Sequence, residues 1–361
     1  MVFISLFCLC CVFFLALHHS FTLFASGRGK VIGRKWADAK NAKEVLALVQ
    51  AEGWASSVVH AKADQKHVNA PCFYQGNCSL HGENLLGRCF CFPGWTGEQC
   101  EVDERQSTPV CTNRGDTCFY TDEAGVFAIS LERWHVAQEA ELVTWDNWDP
   151  VASGGDRIND HLLGFDLYRE VGEIGANLGN FLEVGCGPWT QSVTMMKTRA
   201  FDVEKYVLLE PGALNYAANT KDTVYASGQI DGFDGKTVVV NAGGEHLDLF
   251  LEVFDTIMMV NVLEHTNNAI SILRGLYNAL KPGGLLIMNE RWLDTFDPPE
   301  ELDLNALYHP IRMKQTVFDH FISVGFDIIR DCRTAECHNA DIVKNYGTST
   351  YFIGRKKESC A

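Results

Sequence analysis

The chain has 361 residues, with 30 Lys and Arg against 46 Asp and Glu and a formal net charge of −16. So acidic a balance speaks against a general nucleic-acid binder or a protein held on anionic membranes by charge, because both partners call for basic patches. Of the 14 cysteines, three lie in the opening stretch, seven between Cys72 and Cys118 and four in the rest; that clustering implies a local disulfide framework and hence an oxidising compartment.

The chain opens on an uncharged apolar stretch, Val2 to Leu17, followed by a less apolar tail with small residues at Ala25 and Gly27. Residues 1–27 read as a signal peptide cleaved after Gly27. The competing reading is an uncleaved, lumen-facing single-pass anchor, and only then is a membrane a partner. Arg28, Lys30, Arg34 and Lys35 would hold the chain behind an anchor in the cytoplasm, where disulfides do not persist, so the signal peptide fits the cysteines better. Residues 28–68 read as a helical stalk or linker, with helices over Ala37–Gln50 and Ala55–Lys66 broken near Gly53.

Residues 69–101 contain CFYQGNCSLHGENLLGRCFCFPGWTGEQC. Cys89-x-Cys91, followed by Pro93, Gly94, Trp95, Thr96 and Gly97 and closed by Cys100, resembles the second half of an EGF-like module. Cys78-Ser79-Leu80-His81-Gly82 resembles the preceding loop of tenascin-type modules. The resemblance implies bridges Cys78–Cys89 and Cys91–Cys100, and a module that could dock to a protein or glycan partner. The family's third cysteine would fall near Asn84 and is absent, which leaves Cys72 to pair with Cys111 or Cys118. So small a module buries too little to hold together without covalent staples. Cys89-x-Cys91 lacks the C-x₂₋₄-C spacing of a thiolate site, and no carboxylate directly precedes Cys72, so neither a structural metal nor calcium is expected. Asn77-Cys78-Ser79 satisfies the glycosylation sequon.

Residues 102–155 form a connecting helical region. Its best helix is Ile129–Val143, with Trp134, Ala137 and Leu142 on one side, and Trp145 and Trp148 read as core or docking aromatics.

The rest of the chain is organised around FLEVGCGPWT, Phe181 to Thr190. Phe181 to Val184 is a short strand-prone run. Gly185 and Gly187 allow a tight turn with room for a ligand against the main chain, and Pro188 suits the first turn of a helix expected to run to about Arg199. Tyr206 to Glu210 is a second apolar strand ending on an acid. Val224 to Ser227 is the expected third strand, with Lys236 to Asn241 as a hairpin or edge strand. Phe254 to Val262 is nearly continuously apolar, as a parallel strand covered on both faces should be. Lys281 to Gly284 is a turn before another buried strand ending on Glu290. Phe326 to Cys332 and Tyr351 to Arg355 are the last two strands, antiparallel at the edge. A dinucleotide fingerprint needs a third glycine where Thr190 stands, which excludes a nicotinamide enzyme.

These stretches resemble a class I S-adenosylmethionine-dependent methyltransferase of the broad type 11 group. Glu183, Gly185, Cys186, Gly187 and Pro188 match its first motif, Glu210 the ribose-holding acid, Asn261 to His265 (NVLEH) the stretch after the fourth strand, and Lys281 to Gly284 the turn before the fifth. The resemblance implies an α/β fold with a Rossmann-like seven-stranded sheet in residues 156–357, strand order 3-2-1-4-5-7-6 and strand seven antiparallel. It implies S-adenosylmethionine as cofactor, held by Glu183, Gly185, Cys186, Gly187, Glu210, Gly244, Glu245 and Asn261. Glu245 and Gly244 would contact the adenine, because Gly243 stands where the family frequently has an acid. His265 is the catalytic candidate, a base where the acceptor is an alcohol or a protonated amine. Tyr168, Glu290, Tyr308 and His309 are acceptor-side candidates. Cys332 and Cys337 are close enough to bridge.

The expected function is methyl transfer to a small-molecule, glycan or protein acceptor in the secretory pathway or outside the cell. The alternative is a secreted or membrane-anchored binding protein that uses its EGF-like module while a methyltransferase-like scaffold stays inert.

Overall fold

The computed structural model describes residues 36–38, 78–92, 95–103, 110–111, 118–119, 124–146, 177–190, 192, 201–219, 223, 225, 237–292, 308–338 and 349–358. The expected signal peptide, Cys72, Asn77, Trp148, Tyr168 and nearly all of the stalk lie outside the described residues.

Trp36–Asp38 (β1), expected to lead into a helix, is a strand. Its backbone pairs in parallel with Thr237–Asn241, Trp36 opposite Val239 and Asp38 opposite Asn241. Three residues cannot express a helical period, and an open sheet edge offers their N–H and C=O groups partners. In the cysteine module, Gly82–Leu85 (β2) and Arg88–Cys91 (β3) form an antiparallel hairpin around Leu86 and Gly87. Both turn residues have positive φ, 46° and 90°, the condition for a two-residue hairpin loop that follows the twist of its strands. Cys78–Cys89 and Cys91–Cys100 are bridged, with Cα atoms 5.6 and 5.2 Å apart. Cys111 stands opposite Cys118 in a two-residue antiparallel pair.

The leader helix, Leu131–Asp146 (α1), begins and ends slightly later than expected. Ser130 Oγ accepts from the Arg133 N–H at 3.2 Å, so a capping residue fixes its start. The sheet is built from Asn180–Val184 (β4), Lys205–Leu209 (β5), Thr237–Asn241 (β6), Phe254–Val260 (β7), Leu280–Glu290 (β8), Phe326–Cys332 (β9) and Thr350–Lys356 (β10). Its order is β1-β6-β5-β4-β7-β8-β10-β9, and β10 runs antiparallel to both neighbours. Without β1 this is the Rossmann-like order 3-2-1-4-5-7-6. The third position belongs to β6, not to Val224–Ser227, whose described residue, Tyr225, is helical. The three valines of β6 pair in register with β5, where β-branched residues are favoured.

The two faces of the sheet follow the alternation of strand side chains. Leu182, Val184, Ile257, Met259, Leu286 and Met288 meet Ala269–Ala279 (α2) and Gln315–Gly325 (α3) in one core; Phe181, Tyr206, Leu208, Met258 and Ile287 form another.

The EGF-like hairpin is part of the first of these cores. Leu85 is fully buried in it and Leu86 packs against it. The Glu83 carboxylate accepts from Asn268 Nδ2 and pairs with Arg274, both at 3.1 Å, and Arg274 also donates to the Asn84 carbonyl. His320 Nε2 lies 2.9 Å from the Leu85 carbonyl, and Phe92 stacks on Phe127. Burying one leucine is worth about 2 kcal/mol, so the hairpin serves as a brace on α2 and α3. Gly125–Val126 pairs with Arg312–Met313, and Ala128 bridges to Asn268, which ties the leader to the same corner. Cys332 and Cys337 are also bridged.

Candidate functional site

β4 ends at Val184, and the chain turns through Gly185 and Gly187 at φ of 67° and 58°. A Cβ on Gly185 would strike the Val262 side chain, whereas one on Gly187 would meet nothing within 4 Å. The loop therefore needs glycine twice for different reasons, contact at one and backbone conformation at the other, and it keeps an open inner face. Glu210, at the end of β5, holds this loop. Its Oε2 accepts from the Gly187 N–H at 2.9 Å and its Oε1 from the Gly212 N–H at 2.7 Å. Burial raises the Glu210 pKa to about 7; those two N–H groups act against the rise, Glu141 adds to it and His265 opposes it. Cys186 lies in the same loop as a buried free thiol, its pKa pushed well up by burial and then by Glu183 and Glu210. It is an inert wall residue. Tyr225 donates to the Gly187 carbonyl at 2.8 Å and closes the loop from behind.

Gly185, Cys186, Gly187 and Glu210 line a cleft at the carboxyl ends of the strands, together with Gly243, Gly244, Glu245, Asn261 and His265. Glu245 folds back so that its carboxylate fills the space a side chain at 243 would need. An acid from position 245 thus occupies the place left by Gly243. Asn261 sits at φ 56°, and its Oδ1 is buried without a hydrogen-bond partner.

Two predicted residues are used elsewhere. Glu183 does not line the cleft; its Oε2 accepts from Tyr206 Oη at 2.7 Å and from the Ser192 hydroxyl behind the loop. It shares the strand face of Phe181, so its side chain enters the core beneath the loop. Glu290 is likewise buried, and its Oε1 accepts from the N–H groups of Val262 and Leu263 at 2.8 and 3.1 Å. It holds the NVLEH turn and does not line the cleft. Tyr308 is half-buried outside the cleft wall. His309 lies behind His265, ring centroids 4.6 Å apart, with its Nε2 3.6 Å from Glu264 Oε1.

The leader helix closes the cleft with residues not selected from the sequence as site residues. Trp134, Gln138, Glu141 and Trp145 all line it. Their spacing is that of one helix face, and a mixed polar and aromatic stripe is the signal for it. Trp134 Nε1 and Gln138 Nε2 both donate to the His265 carbonyl at 3.0 Å. Glu141 accepts from Trp145 Nε1 through Oε1 and places Oε2 3.6 Å from His265 Nδ1.

A glycine loop tied to an acid at the end of the next strand, beneath this sheet order, places the chain among known folds. Residues 158–321 match the family model described as a methyltransferase domain, and residues 75–103 match a teneurin-like EGF domain. The chain carries a class I S-adenosylmethionine-dependent methyltransferase domain behind an EGF-like module. A curated relative, tRNA U34 carboxymethyltransferase of Desulfotalea psychrophila, is 38% identical to this chain over 56 residues, 16% of its length. The match spans only 18% of that relative's length. Among solved structures, the N-methyltransferase NodS of Bradyrhizobium japonicum with S-adenosyl-L-homocysteine is similar at 16% identity and a TM-score of 0.40, covering 61% of this chain and 98% of NodS. The [4+2]-cyclase SpnF is similar at 16% identity and a TM-score of 0.43, over 64% and 98% of the two chains. An S-adenosylmethionine-dependent methyltransferase of Mesorhizobium loti gives 14% and 0.37, over 52% and 97%.

Proposed function

We propose that this chain is an active S-adenosylmethionine-dependent methyltransferase working in the secretory lumen or outside the cell, on a small-molecule, glycan or protein acceptor. The reading is carried by one cleft that joins an open glycine loop, the Glu210 carboxylate bound to that loop, and the unpartnered Asn261 Oδ1. These features suit the cofactor: a buried acceptor atom calls for a donor, and a loop open at Gly187 leaves backbone for the methionine end. Gly185 and Gly187 would hold that end, Glu210 the ribose hydroxyls, and Gly244 and Glu245 the adenine.

When bound, S-adenosylmethionine supplies a methyl group already activated on a sulfonium. The protein's task is placement. Trp134 and Trp145 line the cleft from the leader helix and would cover a bound cofactor on that side. His265, fixed through its carbonyl by Trp134 and Gln138, would take a proton from an alcohol or protonated amine, with the Glu141 carboxylate near its other ring nitrogen.

The bridged cysteines Cys78, Cys89, Cys91 and Cys100 support an oxidising compartment. Among the described residues no helix is long and apolar enough to cross a membrane. The hairpin's burial on α2 and α3 counts against a module held out freely for partners. A protein or glycan partner would use the opposite side, where Leu80 is 86% exposed next to the His81–Trp95 stack. Calorimetric titration of the oxidised protein with S-adenosylmethionine and S-adenosylhomocysteine tests the reading: binding of both is expected, and no binding at millimolar ligand overturns it.

A further inference from the structure

We propose that Glu264, His265 and His309 bind one divalent transition-metal ion beside the cleft, at the position where His265 lines it, and that this ion receives an oxygen of the methyl acceptor. Both imidazoles turn Nε2 toward one carboxylate oxygen: His265 Nε2 lies 3.9 Å and His309 Nε2 3.6 Å from Glu264 Oε1. The three ligand atoms all lie within 4.8 Å of one another. Metal–ligand bonds of ~2.0–2.2 Å set neighbouring donors roughly 3–4 Å apart, so closure onto an ion needs only small side-chain movement. The same contacts are too long for hydrogen bonds.

The surroundings match what a metal-bound imidazole needs. Glu141 Oε2 stands 3.6 Å from His265 Nδ1, a carboxylate behind the ligand ring. Trp134 and Gln138 fix the His265 backbone, and the Ile311 N–H donates to the Glu264 carbonyl, tying the His309 segment to Glu264. The side chains are only 12–22% exposed. Two imidazoles and one carboxylate suit zinc, manganese or iron(II) and leave positions for further oxygen donors. Cysteine spacing speaks against a metal in the EGF-like module, whereas these histidines come together from the NVLEH turn and the segment before α3.

His265 both lines the cleft and belongs to this cluster. A coordinated acceptor hydroxyl would have its pKa lowered and lose its proton to water, so with the ion bound His265 gives up the base role described above and serves as a ligand. That assigns oxygen-bearing acceptors to the site. The acceptor half of the proposal rests on the methyltransferase reading above; the ion site stands without it.

The test uses oxidised full-length protein, stripped with chelator and titrated by calorimetry with Zn²⁺ and separately with Mn²⁺, each with and without S-adenosylhomocysteine. One equivalent of at least one ion should bind, and X-ray absorption of the zinc-loaded protein should show two imidazole nitrogens. Glu264→Gln, which keeps the shape, and His309→Ala should each weaken binding at least ~10-fold, as should Glu141→Gln behind the ligand ring. His135→Ala, at an exposed position on α1, should leave it unchanged. Circular dichroism reports whether each variant folds, and if His309→Ala does not, Glu264→Gln decides. Absence of stoichiometric binding by either ion, or binding undiminished in the folded ligand variants, overturns the site. S-adenosylhomocysteine binding without metal overturns only this proposal, whereas metal binding without S-adenosylhomocysteine overturns only the cofactor reading.

Discussion

Changing Glu210 to Gln tests the centre of the cleft. The wild-type carboxylate accepts from Gly187 and Gly212 through different oxygens, and a glutamine amide offers only one acceptor. One backbone N–H then faces an NH₂ group, at a cost of about 1–3 kcal/mol, and the charge that strengthens ribose hydrogen bonds is gone. Together these predict ~2–3 kcal/mol of lost cofactor affinity, some tens- to hundredfold, at pH 8. The pKa of about 7 adds a second signature. Hydroxyl donors favour the ionised form, which makes up about one tenth of the population at pH 6 and nine tenths at pH 8. Wild-type affinity should therefore rise ~10-fold across that interval, while the Gln variant shows no such rise. The sign for stability is opposite. Burial raises the folded-state pKa above the ordinary 4.5, so the native state binds this proton more tightly than the unfolded state. That contribution, up to about 3 kcal/mol, is present below pH 4.5 and is lost as pH rises through about 7. Calorimetric titrations at half-unit steps from pH 6 to 8 measure the affinities. A flat wild-type profile, or a Gln variant that keeps the slope, would refute the role given to Glu210.

Gly187→Asp should fold, because its Cβ meets nothing, at a backbone cost of about 1 kcal/mol from the positive φ. Its carboxylate would stand near that of Glu210, and cofactor binding should be lost by calorimetry. His265→Ala should leave cofactor affinity nearly unchanged and lower turnover, read as a fall in kcat; an unchanged kcat would remove His265 from the chemistry. Leu85→Ala in the hairpin should destabilise the catalytic domain by about 3 kcal/mol in chemical denaturation, because the residue is fully buried against α2 and α3. Peptide mapping without reduction should recover Cys78–Cys89 and Cys91–Cys100; free thiols there would reject both the module and the compartment.

The central strands and their order were legible because each carries its own punctuation: a glycine loop after β4, acids after β5 and β8, and a near-continuous apolar run in β7. Sequence could not decide the elements that depend on a neighbour. Val224–Ser227 and Thr237–Asn241 are both short and apolar, and only pairing with β5 selects the second. Trp36–Asp38 is a strand because the sheet edge is open beside it. Among the acids, Glu210 reaches the cleft while Glu183 and Glu290 turn into the protein, and motif position alone does not separate them. For Glu183 the period of two along β4 carries the distinction, since it shares the face of Phe181. The leader helix was recognised, but Gln138 and Glu141 interrupt its apolar stripe and concealed the face that meets His265. Nothing in the sequence around His309 shows its link to Glu264 and His265, because those partners come from the distant NVLEH turn.

The hairpin's seat on α2 and α3 links chemistry in one part of the chain to folding in another. Leu85 completes a catalytic-domain core, and the strands that present it are pinned by bridges at Cys78–Cys89 and Cys91–Cys100. Leu86 stands close against Gly325 of α3, beside the Tyr277 ring, so a side chain at position 325 would collide with the hairpin. One apolar surface is thus shared by the EGF-like hairpin and the methyltransferase core, so two stretches of chain that read as separate modules in sequence are expected to unfold together.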